Sequence, residues 1–442
     1  MVEGKAGKQQ PSRRPWSKTF WVIVAFGLLQ ALIDCDVSLW VLDKFYTSSP
    51  STEVAKPPPF KDQVVWITGA SSGIGAALAQ DMVEGGAKVI ISARRQDQLK
   101  EVQKAAAQKY PESGGYHAID VLPLDVTDLP AQAVALEKVL GKYGHIDTLV
   151  LNAGRSQRAL AVDFPLTDTK SLFDLNVFSY MELTRLVLPH MQKRHAGKIV
   201  VMSSLAGKMG VPISSSYSAS KWALHGYFDA VRAEVSRDGV SVLMVCPGPV
   251  KSEIVAKAMY SRTAAGSVGS DDNEKKMPTE RCSRLVASAM FWGLSEVWIS
   301  HQPFLFFTYL SEYCPFLARQ LWTRLVGPAR VKTMLEGGDV FDVRRLFGLG
   351  GASLKPVKGG AKGAKAHSDI VELVDKDKSG EASKAEIEAT FGGMDADKSG
   401  TVTKSEWSSA VKIPDFVAVF LLVDTNGDGI IALEEFIAYV EH

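Results

Sequence analysis

The chain has 442 residues, 46% of them apolar and 22% charged, with a net charge of +1. These figures fit a globular chain of two or three domains, and they argue against disorder and against nucleic-acid binding through a broad basic face. Cys35, Cys246, Cys282 and Cys314 form no C-x-x-C pair and are too scattered for a disulfide framework or a zinc site, and there is no N-x-S/T sequon.

The N-terminus is basic and then apolar. Lys5, Lys8, Arg13, Arg14 and Lys18 precede the run from Thr19 to Ile33, and Asp34 and Asp36 interrupt it before VSLWVL resumes. A spanning helix wants about 20 apolar residues, so the run is short for one. It predicts an uncleaved membrane anchor. The alternatives are an interfacial insertion with the aspartates at the headgroups, and a signal peptide, which lacks its small-x-small cleavage site. Residues 1–59 read as anchor and spacer, ending in the stiff Lys56–Pro57–Pro58–Pro59.

From residue 60 to 347, β-rich runs alternate with helical stretches. The runs are Val64–Thr68, Lys88–Ser92, Val121–Asp125, Thr148–Asn152, Lys198–Ser203, Ser241–Cys246 and Glu296–Ser300. Such alternation predicts an α/β fold, a Rossmann-type doubly wound parallel sheet with helices on both faces. Residues 348–367 are a Gly/Lys-rich linker, and residues 368–442 form a small all-α domain with acidic repeats.

The first run enters GASSGIG, Gly69 to Gly75, and then a helix. A strand, a glycine-rich turn and a helix N-terminus suit a dinucleotide pyrophosphate. The expected contacts are Thr68, Gly69, Ser71, Ser72, Gly73, Ile74 and Gly75. An acidic residue at the end of the second strand would accept a bond from the NAD ribose. Arg94 and Arg95 stand there instead and suit a 2′-phosphate, so the expected cofactor is NADP(H). Asp125 and Val126 would flank the adenine, and Asn152, Ala153 and Gly154 would line the middle of the cofactor. Pro247, Gly248 and Val250 would wall the nicotinamide.

Tyr217 and Lys221 form a Y-x-x-x-K pair on one helix face, after Ser203 and Ser204. A phenol is a poor base at neutral pH, and a neighbouring ammonium brings it toward working range. TGASSGIG, NAG, the LN of Leu175–Asn176, SS, Y-x-x-x-K and PGPV occur in the order seen in the short-chain dehydrogenases/reductases, which residues 60–347 therefore resemble. The resemblance implies a tetrad. Tyr217 is its acid/base and Ser204, thirteen residues before the tyrosine, orients the carbonyl. Lys221 binds the nicotinamide ribose, and Asn176 holds a water linking Lys221 to solvent.

The text looks like a membrane-anchored branch of that family, which implies the endoplasmic reticulum and a steroid, retinoid or other lipophilic substrate. A 3-keto-sphingoid or fatty-ketone reductase stays open as an alternative, as does a calcium-regulated scaffold that keeps an NADP-binding fold. A homodimer and a calcium-dependent protein partner complete the expected partners, beside the membrane and the small-molecule substrate. The membrane side is open. The basic N-terminus puts the catalytic domain in the lumen, while calcium switching is most useful in the cytosol.

Three tail segments fit the calcium template of oxygen ligands at positions 1, 3, 5, 7 and 12 with Gly at 6, and resemble EF-hands. The first offers Asp375, Asp377, Ser379, Glu381 and Glu386. The second offers Asp395, Asp397, Ser399, Thr401 and Glu406, and the third Asp424, Asn426, Asp428, Ile430 and Glu435. Position 8 packs an aliphatic residue on the paired loop. Val402 and Ile431 suit that role and Ala382 does not, so loops two and three should pair.

Overall fold

The computed structural model describes residues 34–47, 60–111, 118–252, 258–260 and 276–335. In the tail it describes residues 374, 384–399, 401–403, 406, 430–433 and 436. Several expectations lie outside these residues: the apolar run Thr19–Ile33, the linker, and most of calcium loops one and three. Among the described residues no helix is long and apolar enough to cross a membrane. The chain divides into two compact units: Met1–Ser156, Leu166–Ala258 and Asp272–Arg324 in one, Gln157–Pro165, Met259–Asp271 and Leu325–His442 in the other.

The first unit is built on seven strands: β1 (Val64–Thr68), β2 (Lys88–Ser92), β3 (Ile119–Val121), β4 (Thr148–Leu151), β5 (Gly197–Met202), β6 (Val240–Pro247) and β7 (Glu296–Ile299). All seven pair in parallel in the order β3-β2-β1-β4-β5-β6-β7. The third strand begins and ends earlier than the Val121–Asp125 expected. Pro123 has no N–H, but amide bonds from Leu122 to Ile91 (3.0 Å) and from Leu124 to Ala93 (3.1 Å) continue the pairing around it.

The helices are α1 (Val37–Thr47), α2 (Gly73–Glu84), α3 (Gln96–Lys109), α4 (Leu129–Tyr143), α5 (Leu166–Phe173), α6 (Ser179–Arg194), α7 (Ser215–Glu234), α8 (Thr279–Trp292), α9 (Phe304–Tyr313) and α10 (Pro315–Leu321). Every residue of β1 is buried. Its two-residue period sends Val65 and Ile67 to one layer, with Leu78 and Met82 of α2 and Leu285 and Met290 of α8. Val64 and Trp66 go to the other layer, with Leu136 of α4, Leu183 of α6 and Phe228 of α7. Connections from β1 run to β2 on one side and those from β4 onward to the other. This leaves a crevice at the carboxyl ends of β1 and β4, where doubly wound sheets bind ligands.

The VSLWVL segment lies in α1 and packs on this unit. Asp36 N donates to Trp298 O (2.8 Å) and Ser300 N to Asp34 O (2.9 Å), so Asp34–Asp36 extends the sheet edge beside β7. Arg281 of α8 pairs with Asp34 (2.8 Å) and with the buried Asp43 (3.0 Å), and Leu39 enters the core. Asp34 and Asp36 thus both bond to the protein.

In the second unit, Gln157–Arg158 pairs with Met259–Tyr260 in parallel. Helix α11 (Gly327–Leu335) follows, and α12 (Lys384–Met394) leads into calcium loop two. Strands β8 (Thr401–Thr403) and β9 (Ile430–Ala432) pair antiparallel with Val402 opposite Ile431, both buried. The position-8 residues of loops two and three therefore meet as expected.

Candidate active site

A cleft of about 460 Å³ opens at the carboxyl ends of β1, β2, β4, β5 and β6. Gly69, Ser71, Ser72, Gly73 and Ile74 line it, as do Arg94, Arg95, Asp125, Val126, Asn152, Ala153 and Gly154. Ser204, Tyr217, Lys221, Pro247, Gly248 and Val250 lie on the same wall system. Thr68, Gly75 and Asn176 support the lining from behind.

Thr68 takes the backbone N–H of Asn152 on its hydroxyl (3.0 Å) and gives its proton to Val150 O (3.2 Å). The Asn152 side chain donates to the carbonyls of Thr68 (3.0 Å) and Gly69 (3.1 Å). Its amide therefore fixes the glycine turn. Gly69 has φ +66°, and a Cβ there would lie 2.6 Å from Ala153 Cα. A Cβ on Gly75 would lie 2.4 Å from Asn152 Nδ2, so the start of α2 sits directly on this knot. Ser72 at the head of α2 makes no side-chain cap bond, which leaves the first N–H groups of the helix facing the cleft.

Arg95 donates to the hydroxyls of Ser71 (3.0 Å) and Ser72 (3.5 Å), which places its guanidinium against the glycine turn. Arg94 lies 3.8 Å from Asp125 at the exposed rim. Asp125 in turn accepts from the backbone and hydroxyl of Thr127 (3.0 and 2.7 Å).

Helix α7 presents Tyr217 and Lys221 one turn apart, both buried. Lys221 Nζ donates to Met202 O at the end of β5 (2.8 Å) and lies 5.8 Å from the Tyr217 ring centre and 5.6 Å from that of Tyr180. Burial lowers the Lys221 pKa to about 7. Ser203 and Ser204 both border the cleft and differ in their hydrogen-bond partners. Ser204 Oγ accepts from Ala206 N (3.2 Å) and donates to Pro247 O (3.3 Å). The Ser203 hydroxyl points inward to His225 Nε2 (3.1 Å).

Asn176 is fully buried in a π-helical turn, Asp174–Phe178, between α5 and α6. Its Oδ1 accepts from Arg155 N (3.0 Å), and its Nδ2 donates to Arg155 O (3.0 Å) and Ser220 Oγ (3.1 Å). The side-chain amide is thus spent on clamping the segment after Gly154.

Sequence reasoning passed over two groups here. Tyr180, one turn past Asn176, is buried beside Lys221, and its hydroxyl has no partner among the described residues. Burial and the neighbouring Tyr217 raise its pKa. His225 continues the face of Tyr217 and Lys221 by one more turn, a Y-x-x-x-K-x-x-x-H pattern that was readable. Its Nε2 meets Ser203 and, at 3.6 Å, Cys246 Sγ, and its Nδ1 faces Glu296 at 3.7 Å. Burial, reinforced by Lys208, pulls the imidazole down to about 4, so it is neutral at pH 7.

In the tail, ligand oxygens of Asp395, Asp397 and Glu406 lie within 4.8 Å of one another. Ser399 N donates to both aspartates (3.0 Å each) and its hydroxyl to Thr401 O (3.0 Å). Loop two therefore gathers oxygen donors from positions 1, 3, 5, 7 and 12. That all-oxygen set fits a hard divalent cation.

Residues 63–262 match the short chain dehydrogenase family, and residues 387–412 and 416–440 match the EF hand. The chain is 38% identical over 336 residues to human Dehydrogenase/reductase SDR family member 7, covering 73% of this chain and 95% of the relative. The mouse protein of the same name gives 38% over 336 residues, covering 73% and 96%. A Drosophila melanogaster family protein 7-like gives 28% over 310 residues, covering 68% and 90%. The chain is a short-chain dehydrogenase/reductase.

The residues of this short-chain dehydrogenase/reductase fit the nicotinamide cofactor its family implies. The open helix N-terminus and the glycine turn would hold a pyrophosphate, and Pro247, Gly248 and Val250 line the same cleft. Helices α9 and α10, the aromatic C-terminal stretch of this unit, divide in role. Leu305, Phe307 and Thr308 are core, and Tyr309 packs on Trp298 (4.9 Å), whereas Phe306, Tyr313, Phe316 and Leu317 are exposed. The EF-hand match covers loops two and three, the pair joined by β8 and β9.

Proposed function

We propose that this oxidoreductase uses NADP(H) to interconvert a lipophilic ketone or aldehyde and its alcohol, held at the endoplasmic reticulum membrane by its N-terminal apolar segment. The observation that carries the cofactor choice is the cleft rim. Two guanidiniums, Arg94 and Arg95, stand at the end of β2 where an acidic residue would serve NAD, and Arg95 lies against the serines of the glycine turn.

When bound, the cofactor supplies or takes the hydride. The chain's own residues handle the oxygen and the proton. Ser204 Oγ gives a hydrogen bond to the reacting oxygen in place of its present bond to Pro247 O. The Tyr217 hydroxyl delivers or takes the proton there. Lys221 stabilises the phenolate, and a 2′-phosphate would gather both arginines. A lipophilic substrate agrees with the segment between Ser204 and Tyr217, whose Leu205, Ala206, Met209 and Ile213 are all buried apolar residues. The tail binds calcium at loops two and three, and a homodimer and a calcium-dependent partner belong to the same reading.

The test is oxidation of NADPH against NADH with a panel of steroid, retinoid, keto-sphingoid and fatty ketones. NADPH-dependent turnover of at least one lipophilic class supports the reading. Turnover confined to NADH, or to small polar ketones, contradicts it.

A further inference from the structure

The first unit carries an apolar tip that its own core leaves uncovered. Helices α9 and α10 meet at Cys314, and residues 312–317 are all exposed. Tyr313 and Phe316 expose 71% and 77% of their surface, Leu317 50%, and Phe306 on the same side of α9 52%. Large side chains clustered and exposed to that degree mark an interaction surface, not scattered residues. Arg319 and Arg324, which follow the tip in the chain, are exposed.

Two observations say what covers it. The apolar run Thr19–Ile33 ends where the described fold begins, and its next residue, Asp34, accepts from Ser300 N (2.9 Å), four residues before α9. The strongly apolar N-terminal sequence thus joins the unit beside the start of the apolar hairpin. The second observation is composition: aromatic and leucine side chains at the tip, with arginines behind them, match the apolar–headgroup boundary of an anionic bilayer.

We propose that the α9–α10 tip lies in the surface of an anionic lipid bilayer. The tip also packs against the body of the first unit. Its last helical turn packs on the segment that follows the catalytic serine: Glu312 lies 3.5 Å from Lys208, and the Ser311 hydroxyl 4.0 Å from Met209 Sδ. This inference rests on the membrane part of the function proposed above, and its experiment separates the two.

Cys314 is the single exposed cysteine among the four, the others being buried. An environment-sensitive dye on Cys314 of the full chain then reports the tip, in vesicles of phosphatidylcholine and phosphatidylserine. Flotation reads attachment of the chain as a whole. The expected result is flotation, a blue-shifted dye, and quenching by lipids carrying a nitroxide at a shallow chain position, about 5–10 Å inside the headgroup boundary. Phe316→Asp with Leu317→Asp should abolish the shift and quenching while leaving flotation and turnover of a water-soluble ketone unchanged.

A chain that floats with an unshifted dye overturns the tip proposal and leaves attachment standing. A chain that does not float overturns both. A blue shift without quenching overturns it as well, because it shows the tip covered by protein: by a second copy if the shift depends on concentration, by the chain itself if it does not.

Discussion

Lys221 shows how burial and function meet in one side chain. Its pKa in the fold is about 7, against about 10.4 in an unfolded chain. Between those values the unfolded chain holds the extra proton, so stability rises with pH across the window from about 7 to about 10. Below about 7 both states are charged and the burial penalty is constant. Lys221→Met should therefore flatten the rise in the melting midpoint of the cofactor-free protein over that window. Parallel curves for the two proteins would contradict it. The two serines make a second pair of expectations. Ser204→Ala should lower kcat by about 10²-fold or more, as loss of a preorganised donor does, whereas Ser203→Ala should stay close to the parent because its hydroxyl faces His225. Equal losses would remove the distinction. At the rim, Arg94→Asp with Arg95→Ala should shift the kcat/KM ratio toward NADH, each lost charge-assisted bond costing about 1.5–3 kcal/mol. An unchanged ratio would count against the arginines as phosphate ligands.

Elements place these residues with different degrees of legibility. The glycine turn, the Y-x-x-x-K face and the loop-two ligands were readable because each depends on a few consecutive residues and a fixed local period. The β-runs were readable for the same reason, with the boundary of β3 shifted by the pairing that runs around Pro123. Helix α1 was not, because its place depends on Arg281, more than 200 residues away in the chain. The π turn at Asn176 was hidden because the local sequence reads as continuous helix, and its bond to Arg155 is a tertiary contact. Tyr180 was missed because a lone tyrosine on an apolar helix face looks like core. Arg281→Met would leave the buried Asp43 with Ser288 as its side-chain partner (3.2 Å) among the described residues. It should destabilise the docking of α1 by about 1–3 kcal/mol, reduced from the fully buried case because Arg281 is partly exposed. Hydrogen exchange should show residues 37–47 opening first. Unchanged protection there would argue that packing of Leu39 holds the helix without the ion pairs.

At the scale of the whole molecule, the chain joins an oxidoreductase unit to an EF-hand tail. Every residue lining the cleft belongs to the first unit. The calcium ligands described in loop two belong to the second. Calcium should therefore leave kcat on a water-soluble ketone unchanged and act through what the tail binds. Calorimetry of the full chain should show a binding step lost in Glu406→Gln, since position 12 supplies the bidentate ligand. A calcium-dependent kcat, or calcium binding unchanged in that variant, would show that the division of labour is wrong.

The most direct test of the account is Tyr217→Phe. The phenol is the proton donor and acceptor that the motif offers in the cleft lined by Ser204 and Lys221, and removing one oxygen leaves the ring and its packing in place. Single-turnover ketone reduction with NADPH should fall by about 10²–10⁴-fold, while fluorescence titration should show NADPH binding within a few-fold of the parent. Reduction retained near the parent rate would contradict the catalytic assignment.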